Sequence, residues 1–352
     1  MPGQKIGRFL SVLCCCAILF LIASCAAGGG GPEYIRAPAP SLQESLLGEE
    51  PRREFAVLLP PGYSPQARPY PVLYFLPGFS ADLRQTARAL MRAMRAQPAS
   101  GREMILVVVD GTSRLGGGFY TNSPVTGNWE DYVTQDIAGY IDSHYNTRRT
   151  AQGRGIAGHS MGGFGALWLA MRHPGQFGYV YSMSPGLFDE NGLARSGIDF
   201  ARLQASVETY AALPEADALA AYLRDVKSMN WPDNFAHAYA AAFAYDTTVD
   251  FPYIQVPGSD EIRARYERGF GGWAAKLDAY RENLLSLGGI AVDYGRQDAL
   301  TWIPEGAAHF CALLEERQIP HTETPYPGGH VDCLDERFAA HMLPFFAQAF
   351  AS

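Results

Sequence analysis

The order of apolar runs in this 352-residue sequence predicts an α/β fold, a mostly parallel central sheet flanked by helices with a helical insertion. Three observations carry that reading. Short apolar runs alternate with segments of helical period, the rhythm of strands joined by right-handed crossovers. MILVVVDG (104–111) is apolar without alternation, as a parallel strand buried on both faces requires. GRGIAG (153–158) runs through a single serine into MGGFGALWLAMRHP (161–174), a strand-to-helix turn centred on Ser160.

REFAVLLPPGY (53–63) and YPVLYFLPG (70–78) are apolar runs closed by Pro and Gly and read as the first strands. LRQTARALMRAMRAQ (83–97) spaces its apolar residues as a helix does, with arginines on the other face. NWEDYVTQDIAGYIDSHY (128–145) is an amphipathic helix, with Asn128 as its expected N-cap and Glu130 and Asp131 at the positive end of its dipole. The helix after Ser160 stops before Pro174, and YVYSMSP (179–185) is the next strand. From about 186 to 273 the composition shifts to Ala- and Tyr-rich segments such as FAHAYAAAFAY, read as a helical cap above the strand ends. GGIAVDYG (288–295), a helix at 304–318, HTETPYPGG (321–329) and a closing helix at 334–350 complete the order. No internal repeat is visible, so residues 51–352 are expected to form one domain with its cap.

The N-terminus reads as a targeting segment. Lys5 and Arg8 precede FLSVLCCCAILFLIAS, an apolar run suited to a signal peptide over 1–24 and short for a membrane span. Ile22-Ala23-Ser24-Cys25 resembles a bacterial lipobox, which makes Cys25 the expected lipidation site and new N-terminus. Acyl chains there would anchor the protein to the bacterial cell envelope, in the periplasm or at the outer membrane; cleavage near Ala27 would instead give a secreted protein. Residues 25–50, opening with GGGGPEYIRAPAPS, read as a flexible tether. Beyond the signal and Cys25 only Cys311 and Cys333 remain, and in an oxidising compartment the two are open to pairing.

With 18% charged residues, a net charge of −8 and no basic stripe, the chain is not built to displace counterions from nucleic acid. It has no HExxH, CxxC, P-loop or dinucleotide glycine pattern, so neither metal nor cofactor is expected.

GHSMGGFGAL (158–167) surrounds Ser160 with four glycines. A G-x-S-x-G turn between a strand and a helix is the nucleophile elbow of α/β-hydrolases, where the serine precedes the acid and the acid precedes the histidine. His309 and His341 fall within predicted helices and His321 opens a strand, whereas His330 follows PYPGG just past a strand end, where open α/β sheets serve their ligands. His330 is therefore the expected base. Asp298, in YGRQD past a strand end, is the expected acid; Asp293 lies within the strand and Asp332 falls outside the usual order. LYFLPGFSAD would present the Phe79 N–H to the site, beside the Met161 N–H at the start of the helix, as an oxyanion hole. Tyr120, Trp129 and Trp231 are candidates for cleft walls, although aromatics at such positions more often serve packing.

FAVLLPPGY, YPVLYFLPGF, NWEDYVTQDIAGYIDSHY, RGIAGHSMGGFGALWLAMRHPGQFG, the G-x-x-D of GRQD and the late GGH together resemble the esterase D-like esterase family over about residues 50–350. That family includes feruloyl and acetylxylan esterases, formylglutathione hydrolases and mycolyltransferases. The resemblance implies an α/β-hydrolase fold, with Ser160 as nucleophile, His330 as base, Asp298 as acid, and Phe79 and Met161 as oxyanion donors. Pro77 departs from the histidine that many relatives carry there. GGGFYTNSPVTGNWEDY is similar to a substrate-side loop of the mycolyltransferase branch. The expected activity is an exported serine esterase acting on a small-molecule, carbohydrate or lipid ester. An acyltransferase on the same residues and a non-catalytic surface binding protein are the alternatives.

Overall fold

A computed structural model of the chain describes residues 30–351. Its frame is one eight-stranded sheet in the order β1-β2-β4-β3-β5-β6-β7-β8. The strands are β1 (Glu33–Pro38), β2 (Arg52–Leu58), β3 (Val72–Leu76), β4 (Ile105–Val108), β5 (Arg154–His159), β6 (Tyr179–Met183), β7 (Gly289–Gly295) and β8 (Thr322–Tyr326). β2 runs antiparallel to both neighbours, and every other pairing is parallel. The central strands β3, β4 and β5 are buried throughout, the reason their sequences lack alternation.

Alternate residues of these strands feed two cores. Val72, Tyr74 and Leu76 face one layer, which holds α2 (129–144), α3 (Met161–Arg172) and α9 (Trp302–Glu316). Leu73 and Phe75 face the other, against α1 (Leu83–Ala96) and α10 (334–351). Between β6 and β7 the chain leaves the sheet for a run of helices. It includes α4 (Phe200–Ala211), α5 (Glu215–Val226), α6 (Trp231–Phe243), α7 (Asp260–Phe270) and α8 (Trp273–Ala279).

Three expectations are corrected. The tether assigned to residues 25–50 is ordered from Glu33: β1 pairs with β2 over six residues, and Ala39, Leu42 and Leu47 are fully buried. The Pro- and Gly-rich composition conceals a strand whose partner lies some twenty residues on. Asn128 does not cap α2 with its side chain. The two-stranded turn pairing Asn122–Ser123 with Gly127–Asn128 brings Asn122 to that end, where its Oδ1 accepts the Glu130 and Asp131 N–H groups at 3.1 and 3.2 Å. Cys311 and Cys333 are both free rather than paired. Cys311 is buried on the inner face of α9, where burial pushes its thiol pKa up, while Cys333 is exposed on the loop before α10. The signal segment and Cys25 lie outside the described residues.

Candidate active site

The β5–α3 turn sets the geometry. Ser160 has φ 58° and ψ −118°, a region costing of order 1–3 kcal/mol for a non-glycine residue, so its surroundings must hold it there. Its N–H donates to the Met183 carbonyl at 2.9 Å, and its carbonyl accepts the Phe164 N–H at 3.1 Å and the Gly186 N–H at 2.9 Å. Strand and helix meet so closely that a Cβ on Gly158 would collide with the Gly162 carbonyl, and one on Gly162 with the Leu76 carbonyl. Two of the glycines that crowd the serine are thus steric requirements of the elbow.

His330 and Asp298 lie on the loops after β8 and β7. His330 Nε2 lies 2.9 Å from Ser160 Oγ, and its Nδ1 lies 2.6 Å from Asp298 Oδ2. Asp298 is buried, and its Oδ1 accepts the Leu300 N–H at 2.8 Å. The two loops are laced together: the Gln297 N–H donates to the Gly328 carbonyl at 2.9 Å, the Arg296 N–H to Tyr326 at 2.9 Å, and the Gln297 side chain accepts the Gly328 N–H.

The other candidates lie elsewhere. Asp293 is buried beneath the loops, its Oδ2 accepting from Tyr181 Oη and from Arg337 Nε, both at 2.8 Å, with Arg337 Nη2 2.7 Å away in the same ion pair. Asp332 accepts the Gly329 N–H at 2.8 Å and so braces the His330 turn. His309 and His341 are on α9 and α10, and His321 sits just before β8.

The Pro77–Ser80 loop lies over the elbow, where a Cβ on Gly78 would sit 3.3 Å from Ser160 Cβ. Met161 is the first residue of α3, so its N–H has no carbonyl one turn back to receive it. The loop is gripped from three sides. Tyr120 Oη donates to the Pro77 carbonyl at 2.9 Å, the Ser80 N–H donates to Gly116 at 2.9 Å, and the Phe79 ring packs against Phe119, Trp231 and Phe235. Tyr120 and Trp129 are fully buried, whereas Trp231 is 42% exposed and lines the cleft.

That cleft, of about 670 Å³, opens on Ser160 and His330 between apolar walls that include Phe75, Phe79, Leu300, Leu334 and Phe338. A second groove of about 940 Å³ adjoins it, its lining mixing Leu223, Val226 and Met229 with the charged Arg53, Asp110 and Lys227; the two share Ser80, Ala81, Asp82 and Trp231. His159, absent from the sequence candidates, also borders the cleft. Its signal is a polar ring at the serine end of a fully buried strand.

A family model described as "Putative esterase" matches residues 49–249. The chain belongs to this esterase family. Esterase Rv1288 of Mycobacterium tuberculosis (strain ATCC 25618 / H37Rv) is similar, with 35% identity over 133 residues. The match covers 36% of this chain and 28% of that protein, so the chain spans under a third of its relative's length. Among solved structures, a ferulic acid esterase matches with a TM-score of 0.55 and 20% identity, covering 91% of this chain and 100% of that chain. An S-formylglutathione hydrolase from Agrobacterium tumefaciens matches with a TM-score of 0.55 and 18% identity, over 94% and 98% of the two chains. At such identities the likeness is one of fold, and the fold is that of α/β-hydrolases. The esterase family and the fold agree with the expectations drawn from the motifs.

Proposed function

We propose that this esterase cleaves carboxylic esters through a Ser160–His330–Asp298 triad and an acyl-enzyme intermediate. The carrying observation is the unbroken chain of short contacts from Ser160 Oγ to His330 Nε2, 2.9 Å, and from His330 Nδ1 to Asp298 Oδ2, 2.6 Å. Asp298 accepts a hydrogen bond from Nδ1–H, fixing the tautomer that leaves the Nε2 lone pair free to take the proton of Ser160. As Oγ bonds to the ester carbonyl carbon, the carbonyl oxygen gains negative charge, which the Phe79 and Met161 N–H groups would receive. Collapse breaks the bond to the alcohol oxygen, which leaves with the proton held on His330. Water then gives a proton to His330 and attacks the acyl carbon, and the acyl–Oγ bond breaks as His330 returns that proton to Ser160, releasing the acid.

The divided cleft suits an ester with an apolar acyl part and a polar alcohol part, as in acylated carbohydrates or polar lipids. The adjoining groove also favours a second reading, acyl transfer, in which a hydroxyl seated there replaces water in the last step. Ser160→Ala is expected to lose p-nitrophenyl ester turnover by about 10⁴–10⁶ in kcat while keeping its melting temperature. Near-full turnover in the folded variant overturns the assignment. Product analysis with and without sugar acceptors separates hydrolysis from transfer.

The reading includes export and a lipid on Cys25, supported by the basic, apolar and I-A-S-C order of the first 25 residues. Cys25→Ala is expected to move the protein from membrane to soluble fractions with activity intact, and unchanged partitioning rules the anchor out.

A further inference from the structure

We propose that His159 is a positioning residue that ties the His330 loop to the strand carrying Ser160 and thereby sets the rate of acyl transfer. The inference rests on the Ser160–His330–Asp298 reading. His159 ends β5, one residue before Ser160, and its Nε2–H donates to the His330 carbonyl at 2.8 Å. The two imidazole centroids are 4.7 Å apart, tilted by 43°. Apart from the contacts of the His330 ring with Ser160 and Asp298, the other hydrogen bonds of residues 328–330 run to Asp332 within the same turn and to Gln297 on the acid loop. The His159 bond instead runs to β5 itself, so it fixes the base relative to the nucleophile.

The same ring reaches the oxyanion side. A Cβ on Gly78 would lie 3.5 Å from His159 Nδ1, so the imidazole is seated between the loop bearing the base and the loop bearing the Phe79 N–H. An apolar side chain would fill such a buried place without the cost of desolvating a polar ring. The hydrogen bond to the His330 carbonyl gives the imidazole its purpose. Burial, reinforced by the neighbouring His330, pulls its pKa down to about 3, so the donor is neutral. That matters because His330 becomes an imidazolium as it takes the serine proton, and a second cation beside it would oppose the charge.

The test compares His159→Gln, His159→Asn and His159→Leu, with Ser160→Ala alongside. The glutamine amide nitrogen reaches about as far as imidazole Nε2, whereas the asparagine amide stops near Nδ1. Glutamine is expected to retain most of kcat. Asparagine and leucine are expected to lose between about 10- and about 100-fold in kcat at unchanged KM, the scale of an ångström-level misplacement. Fluorophosphonate labelling of Ser160 should slow in the same order. A purely structural role would affect glutamine and asparagine alike. The inference is overturned if folded asparagine or leucine variants keep wild-type kcat, or if glutamine performs no better than asparagine. If the leucine variant does not fold, the glutamine–asparagine comparison decides. An active Ser160→Ala protein would defeat the underlying triad instead, whereas an inert Ser160→Ala beside fully active His159 variants defeats this inference alone.

Discussion

Asp298→Asn changes one atom and should nearly abolish turnover, for a reason visible in the surroundings of that carboxylate. Its Oδ1 accepts the Leu300 N–H at 2.8 Å, and its Oδ2 faces His330 Nδ1 at 2.6 Å. An asparagine keeps its oxygen on the fixed Leu300 donor, which turns its NH₂ toward Nδ1. The imidazole must then accept at Nδ1 and carry its proton on Nε2, 2.9 Å from Ser160 Oγ, where a lone pair is needed. The wrong tautomer of a triad histidine costs about 10⁴ in kcat, or about 5.4 kcal/mol of barrier at 1.36 kcal/mol per decade. Asp293→Asn is the informative contrast. It weakens the partner of buried Arg337 and should cost about 3–5 kcal/mol of stability, with kcat per folded molecule largely preserved. The assay is p-nitrophenyl acetate turnover at pH 8, with urea unfolding of each variant. An Asp298→Asn protein within about tenfold of wild type, or a folded Asp293→Asn protein with the about 10⁴-fold loss, refutes the assignment of the acid.

Two further perturbations probe the buried histidines and the cap. Burial lowers the pKa of His159 to about 3 and of His237 to about 4, so both stay neutral when folded but take up protons near 6.5 when unfolded. Stability should therefore fall as pH drops below about 6.5, each histidine adding up to about 1.4 kcal/mol per pH unit. His237→Gln should flatten the profile between pH 6 and 5 by about that slope, and parallel wild-type and variant urea profiles would count against the linkage. Trp231→Ala removes the exposed wall stacked on Phe235 at 5.2 Å and should shift the butyrate-to-acetate ratio of kcat/KM by roughly 1–2 kcal/mol. An equal loss on all esters would place its role in holding Phe79 rather than in choosing substrate.

The sheet and the elbow were legible because the physics that builds them is local. β3 and β4 are buried throughout and apolar without interruption, and the tight β5–α3 crossing admits only glycine at 158 and 162. His330 and Asp298 could be singled out because each follows a strand end. What escaped depended on partners distant in sequence. β1 has a polar, proline-bearing sequence and becomes a strand because β2 offers an edge. The α2 cap comes from Asn122 across a turn, and the separation of Cys311 from Cys333 follows from where α9 and the His330 loop lie in space. His159 was hidden by its neighbour: within GHSMGG the serine accounts for the motif, and only the 2.8 Å bond to the His330 carbonyl gives the histidine a role of its own.

The early start of β1 bears on where a lipid-anchored form can work. Only residues 26–32 separate Cys25 from Glu33, the first residue of a strand paired along its full length. Eight covalent steps reach at most about 29 Å at about 3.6 Å each. A lipid at Cys25 would therefore moor the enzyme on a short line, holding the first residue of β1 within about one small-domain diameter of the bilayer. Ser160 follows β5, four strand spacings from β1 in the sheet order, or about 19 Å sideways at about 4.8 Å per spacing. Such an anchored form would patrol a thin shell above the membrane and meet esters embedded in, or tethered to, that surface far more often than those free in the surrounding volume.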